Sequence, residues 1–153
     1  MKTDYRVYLL NNRLASELPG NYRPEKILSA AGIRDVLKGY GIERMVFHGW
    51  SFASPEACRE QNDLLLDARA ALGDEVRCFC TLCPGYAGDL TEAAAELTAD
   101  GASGIGLLDP YLQHFDIDDP AFEDLFAFCS DKKIPVSFRT ALSVGEPDRK
   151  SVV

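Results

Sequence analysis

Five side chains with usable chemistry stand at the ends of apolar runs, where a parallel sheet gathers its functional groups. Arg6 and Tyr8 lie in the first run, His48 closes the second, and Ser137 and Arg139 lie in the last. Alternate residues of a strand share a face, so Arg6 pairs with Tyr8 and Ser137 with Arg139 on one side of the sheet. Two fixed guanidinium groups with a phenol and a hydroxyl suit a carboxylate or phosphate ligand. Tyr8 and His48 add the capacity for proton transfer, which makes them the catalytic candidates. Trp50 follows His48 and, with Phe52 and Tyr111, reads as an exposed aromatic rim to a pocket. A plainer reading stands beside this one. Strand-end arginines are often only solvated, a lone histidine is often structural, and loop aromatics often cover a core.

Other residues invite chemistry and fail on spacing. Cys78, Cys80 and Cys83 suggest zinc, but Cys83 has opposite parity to the other two, and a fourth ligand must come from Cys58 or His48, both distant in sequence. Small apolar packing in a buried strand accounts for these thiols better. Asp109 precedes Pro110 and reads as a turn cap rather than an acid or base, and His114 falls in an exposed loop. The stretch Gly101-Ala-Ser-Gly-Ile-Gly106 enters a strand instead of leaving one, so it is no dinucleotide fingerprint.

The elements that must position these groups repeat. An apolar strand followed by a capped amphipathic helix recurs at a spacing of about 30 residues, the length of a βαβ unit. Strands are expected at 5–10, 45–48, 76–82, 103–108 and 134–139. The polar stretch 11–23, with Pro19-Gly20, reads as a long loop, and Pro24 as the first turn of a helix with Ile33, Val36, Leu37 and Tyr40 on its inner face. Ser54-Pro55, Asp89 with Glu92, and Asp119-Pro120 are helix starts. The fold class is therefore α/β, with parallel strands alternating with helices. The (βα)4β order resembles the first half of a TIM barrel, with residues 1–142 as that partial domain and 143–153 as a polar tail.

Several of these segments match one family. Asp4-Tyr-Arg-Val-Tyr8 sits where the amidohydrolase-related TIM-barrel hydrolases carry an Asp-x-His-x-His strand. Asn62-Asp-Leu-Leu-Leu66 looks like their Asn-x-x-Leu region, and Gly104 to Gln113 resembles their Gly-Ile-Lys-Leu-His-Pro strand and loop. Asp118 to Phe122, followed by Ile134-Pro-Val-Ser-Phe-Arg-Thr140, is similar to their acidic-Pro helix start and Pro-Val-x-Phe-His-Thr strand. The resemblance implies a metal-dependent hydrolase or decarboxylase in which a divalent ion such as zinc activates water. The matching positions depart from that pattern. Arg6, Tyr8 and Arg139 stand where the family has histidines, and Gly106 and Leu108 stand at its Lys and His, with one extra residue before Pro110. A guanidinium offers no lone pair. The expectation is an amidohydrolase-like chain with no metal ligands and no cofactor at this site. Two alternatives stand beside it: a carboxylate- or phosphate-binding module built on Arg6 and Arg139, and a non-catalytic fragment or partner subunit.

Bulk properties bound the partners. The net charge of -8 argues against nucleic acid and anionic membranes, and leaves a small anionic ligand as the expected partner. No run is long enough to span a membrane, and no apolar leader follows Met1. Five cysteines, an odd number, read as reduced thiols and a cytoplasmic setting. The first and last strands of such a half-barrel leave unpaired edges, so self-association, or a partner supplying the missing strands, is expected.

Overall fold

The computed structural model describes residues 2–139. The expected tail 143–153, the end of the 1–142 domain and Thr140 lie outside the described residues. Five parallel strands form one curled sheet in the order β1 (Thr3–Tyr8), β2 (Arg44–His48), β3 (Val76–Cys80), β4 (Gly104–Leu108) and β5 (Val136–Phe138). Successive strands are neighbours throughout, as right-handed crossover units produce. The result is a half-barrel.

The crossovers are α2 (Ala30–Gly39), α3 (Pro55–Leu72), α4 (Leu90–Ala99) and α6 (Pro120–Lys132). Three of the starts are the caps read from sequence. Ser54 accepts from Ala57 N–H, Asp89 from the N–H groups of Thr91 and Glu92, and Asp119 from Ala121 N–H. The fourth start differs. Pro24 begins no helix; Ser29 caps α2 through Gly32 N–H. Val36 and Tyr40, expected on the inner face, are exposed, and only Ile33 and Leu37 reach the core. The expected loop 11–23 also holds structure. It contains a short helix α1 (Asn12–Glu17), capped by Asn11, and a 3-10 turn at Gly20–Tyr22. A helix this short is unstable alone. Here Leu14 and Leu18 are buried under the C-terminal ends of the strands, and Asn11 donates to Glu60 of α3 at 2.6 Å.

The main core lies between the sheet and α3, α4 and α6. Met45, Phe47, Val76, Cys78, Cys80, Ile105 and Leu108 point into it. Each such side chain contributes roughly 1.5–3 kcal/mol if fully buried. The alternate residues of the same strands face the concave side. Two register shifts matter there. In β1, Asp4 pairs with Met45 and Val7 with Phe47, so β1 carries one extra residue; β4 does the same, with Ile105 on Val136 and Leu108 on Phe138. The second bulge falls between Ile105 and Leu108. It requires glycine: at φ +142°, a Cβ on Gly106 would lie 2.6 Å from the Ser137 carbonyl oxygen.

Candidate functional site

The concave face brings together residues from four strands. Arg6, Val46, His48, Arg77, Phe79 and Ser137 line a hollow of about 530 Å³. Arg6, His48 and Ser137 were each selected from sequence as strand-end groups, and strand pairing unites them. His48 is buried, with its ring 4.7 Å from that of Phe79. Arg6 is exposed, and its side chain has no ion-pair partner among the described residues. Arg77 supplies a second cation; it lies 3.6 Å from the exposed Asp74.

Arg139 is placed differently. Its backbone N–H donates to Leu108 C=O at 2.8 Å, which carries the side chain to the rim of the sheet. There Nε stands 3.6 Å from Oδ2 of buried Asp109. The guanidinium carbon lies 5.7 Å from the ring centre of Tyr22 and 5.6 Å from that of Trp50. The charge is therefore matched by a carboxylate and held against two aromatic faces. Asp109 also caps the short helix α5 (Pro110–Gln113) through Leu112 N–H, the capping role expected of it.

Tyr8 and Trp50 meet edge to face at 5.5 Å, and Trp50 meets Tyr22 at 5.3 Å. Trp50 and Phe52 are buried rather than exposed as a rim; they pack with Leu14, Leu18 and Cys58 beneath α1. Tyr111 alone of that trio is exposed. Burial pushes the Tyr8 phenol above its ordinary range, and the nearby charges of Arg6 and Arg139 oppose the shift. Tyr8 thus keeps its proton near neutrality.

Sequence reasoning assigned no role to a set of buried amides that holds the strand ends. Asn62 makes a reciprocal pair with Thr81, accepting from its N–H and donating to its C=O, both at 2.9 Å. Gln113 donates to the carbonyls of Phe52 and Leu82 and accepts from Asp109 N–H. Gln61 donates to Leu9 C=O, while Ser51 and Thr81 hydroxyls both donate to Leu107 C=O. These bonds satisfy loop backbone that would otherwise be buried without partners. The Asp109-Pro-x-x-Gln113 spacing, one helical turn, is the one local signal that pointed to Gln113.

Among the described residues no group of three or more His, Cys, Asp or Glu could hold a metal. Cys78 and Cys80 face the helix side of the sheet, and both thiols are buried in the core. No helix of the described residues is long and apolar enough to cross a membrane.

Comparison with solved structures places the fold. An amidohydrolase II structure superposes with a TM-score of 0.75 at 14% identity, covering 99% of this chain and 54% of its own. A manganese-bound 5-carboxyvanillate decarboxylase from Novosphingobium aromaticivorans gives 0.69 at 16% identity, covering 89% and 49%. A 2,6-dihydroxybenzoate decarboxylase with 2,6-dihydroxybenzoate bound gives 0.62 at 17% identity, covering 94% and 52%. The chain thus has the fold of part of such a barrel and spans about half the length of these structures. No family model and no curated protein matches the sequence.

Proposed function

We propose that this chain is a metal-free relative of the amidohydrolase-type enzymes whose concave face binds a small carboxylate or phosphate. The observation that carries the reading is the shared hollow of Arg6, His48 and Ser137, three groups from three strands. Arg6 supplies the charge and a forked donor. Ser137 and His48 supply directional hydrogen bonding, and imidazole is the side chain best suited to move a proton near neutral pH. Two of the solved structures are named for carboxylate-bearing compounds, 5-carboxyvanillate and 2,6-dihydroxybenzoate, which supports an anionic ligand. Arg139 plays a different part from the one expected, because Asp109 already offsets its charge; it organises the rim instead. With Arg6 and Arg139 at positions that are histidine in the family, the ancestral metal site is lost, and binding rather than hydrolysis is the activity. A cytoplasmic setting fits the five free, buried thiols.

The test is thermal unfolding with citrate or phosphate at matched ionic strength. Ligand at ten times its Kd stabilises by about 1.4 kcal/mol, which raises the melting temperature by about 3–6 °C for a chain of this size. Arg6→Gln should abolish the rise. A shift that survives Arg6→Gln, or stoichiometric zinc or manganese in elemental analysis, would refute the reading.

A further inference from the structure

Cys58 and Cys83 are both fully buried in the small cluster beneath α1, among Leu14, Leu18, Trp50 and Phe52. Cys58 stands near the start of α3, and Cys83 in the loop after β3. Strand parity sets Cys83 apart from Cys78 and Cys80, and the fold brings it to Cys58 instead. We propose that Cys58 and Cys83 are the two halves of a reversible disulfide, closed by a small two-electron oxidant of the peroxide class.

One stripe of α3, at helical spacing, lies on the loop 81–86. Arg59 donates to Tyr86 C=O, and Asn62 exchanges two bonds of 2.9 Å with the Thr81 backbone and donates to Tyr86 Oη at 3.1 Å. At the other end of the stripe, a Cβ on Gly85 would lie 3.7 Å from Pro55 Cγ. Cys58 stands between Pro55 and Asn62, so contacts on both sides hold it to the loop that carries Cys83. Its S–H is shared between Phe52 C=O, at 3.1 Å, and the Cys83 sulfur. Cys78 and Cys80 also bond to each other, but same-face neighbours on one strand hold their Cβ atoms about 6.6 Å apart, beyond the roughly 3.5–4.5 Å of a disulfide. The bond from Cys58 holds the Cys83 thiol below its ordinary range against the effect of burial, with help from Arg59, while the same contact and burial push Cys58 up. Cys83 is therefore the attacking thiolate. It takes one peroxide oxygen as the O–O bond breaks, leaving a sulfenic acid and one water. The Cys58 sulfur then displaces the hydroxyl as a second water and the S–S bond forms. Two electrons and two protons pass from the thiols to the peroxide. Helix α1, six residues long, covers the pair, and local opening of so short a helix admits the oxidant.

The whole chain is treated with hydrogen peroxide in slight excess, and thiols are counted after unfolding in denaturant. The count should fall from five to three, and dithiothreitol should restore five. Trp50, the single tryptophan, shares the cluster, so its emission should change with the count and return on reduction. The oxidised chain should melt about 5 °C higher, because the crosslink closes a loop of about 25 residues in the unfolded state. Cys58→Ala and Cys83→Ala should each keep all four remaining thiols, and Cys78→Ala should still lose two. Peptide mapping needs no variant: trypsin leaves Cys58 on 45–59 and the other cysteines on 78–132, and the two peptides should be joined only before reduction. Five thiols after treatment, a loss of two that survives Cys58→Ala, or a 45–59 peptide that stays unlinked would each overturn the proposal.

Discussion

Replacing Asp109 separates two tasks that one carboxylate performs. Oδ2 faces Arg139 at 3.6 Å, and Oδ1 caps α5 through Leu112 N–H at 2.9 Å. Asp109→Asn keeps an acceptor for the cap and removes the charge; Asp109→Ala removes both. At an effective dielectric constant near 20, opposite charges at this separation attract by about 5 kcal/mol before solvation is counted. The Asp109 side chain is 3% exposed and that of Arg139 21%, so the pair lies between two regimes. Fully buried pairs lose about 3–5 kcal/mol when one partner goes, and exposed pairs about 0–1. Arg139 keeps its contacts with the Tyr22 and Trp50 rings, which limits the loss. We expect Asp109→Asn to destabilise by about 2 kcal/mol, a fall in melting temperature of about 4–8 °C. Asp109→Ala should lose about 1 kcal/mol more, the value of an N-cap. Urea unfolding measures both. The Asn variant should also bind citrate more tightly, because Arg139 no longer has an internal counter-ion. An Asn variant within about 0.5 kcal/mol of the native chain, with unchanged citrate affinity, would refute the claim that Asp109 neutralises Arg139.

Three further outcomes are expected. Asn62→Ala leaves the buried N–H and C=O of Thr81 without their partner and should cost about 3 kcal/mol; faster amide exchange at Thr81 is the specific sign, and protection equal to the native chain would contradict it. In the folded state Tyr8 holds its proton more tightly than an unfolded tyrosine, so its contribution to stability is complete below about pH 10 and is lost as pH rises through the higher folded value. Tyr8→Phe should therefore flatten the alkaline limb of the stability curve, though not abolish it, because burial raises Tyr86 as well; an unchanged limb would count against it. Among the described residues β1 and β5 each pair on one side only, so sedimentation should reveal concentration-dependent self-association, and a concentration-independent monomer would argue that those edges are covered.

Much of the architecture is legible locally because its signals are short-ranged. The caps at Ser54, Asp89 and Asp119 each act on an N–H two or three residues away, and the alternation expected to set Arg6 with Tyr8, and Ser137 with Arg139, within their own strands is a property of two-residue spacing. Those features survive whatever the rest of the chain does. Helix α1 was not legible despite the Leu14 and Leu18 spacing. Six residues cannot repay helix nucleation in water, and burial of those two leucines beneath the strand ends supplies what propensity lacks.

The candidate site divides along the same line. Sequence alone singled out Arg6, His48 and Ser137 as strand-end groups, and the resemblance implied that Arg6 and Arg139 stand where the family has histidines. Only the tertiary structure decided that Arg6 lines the hollow while Arg139 is matched by Asp109 at the rim, that Trp50 is buried beside Tyr8 and Tyr22, and that Gln61, Asn62 and Gln113 hold the loops. The physical reason is range. Charge pairing and amide hydrogen bonds act over a few ångströms between residues far apart in the chain, so their partners exist only once the strands have been brought side by side.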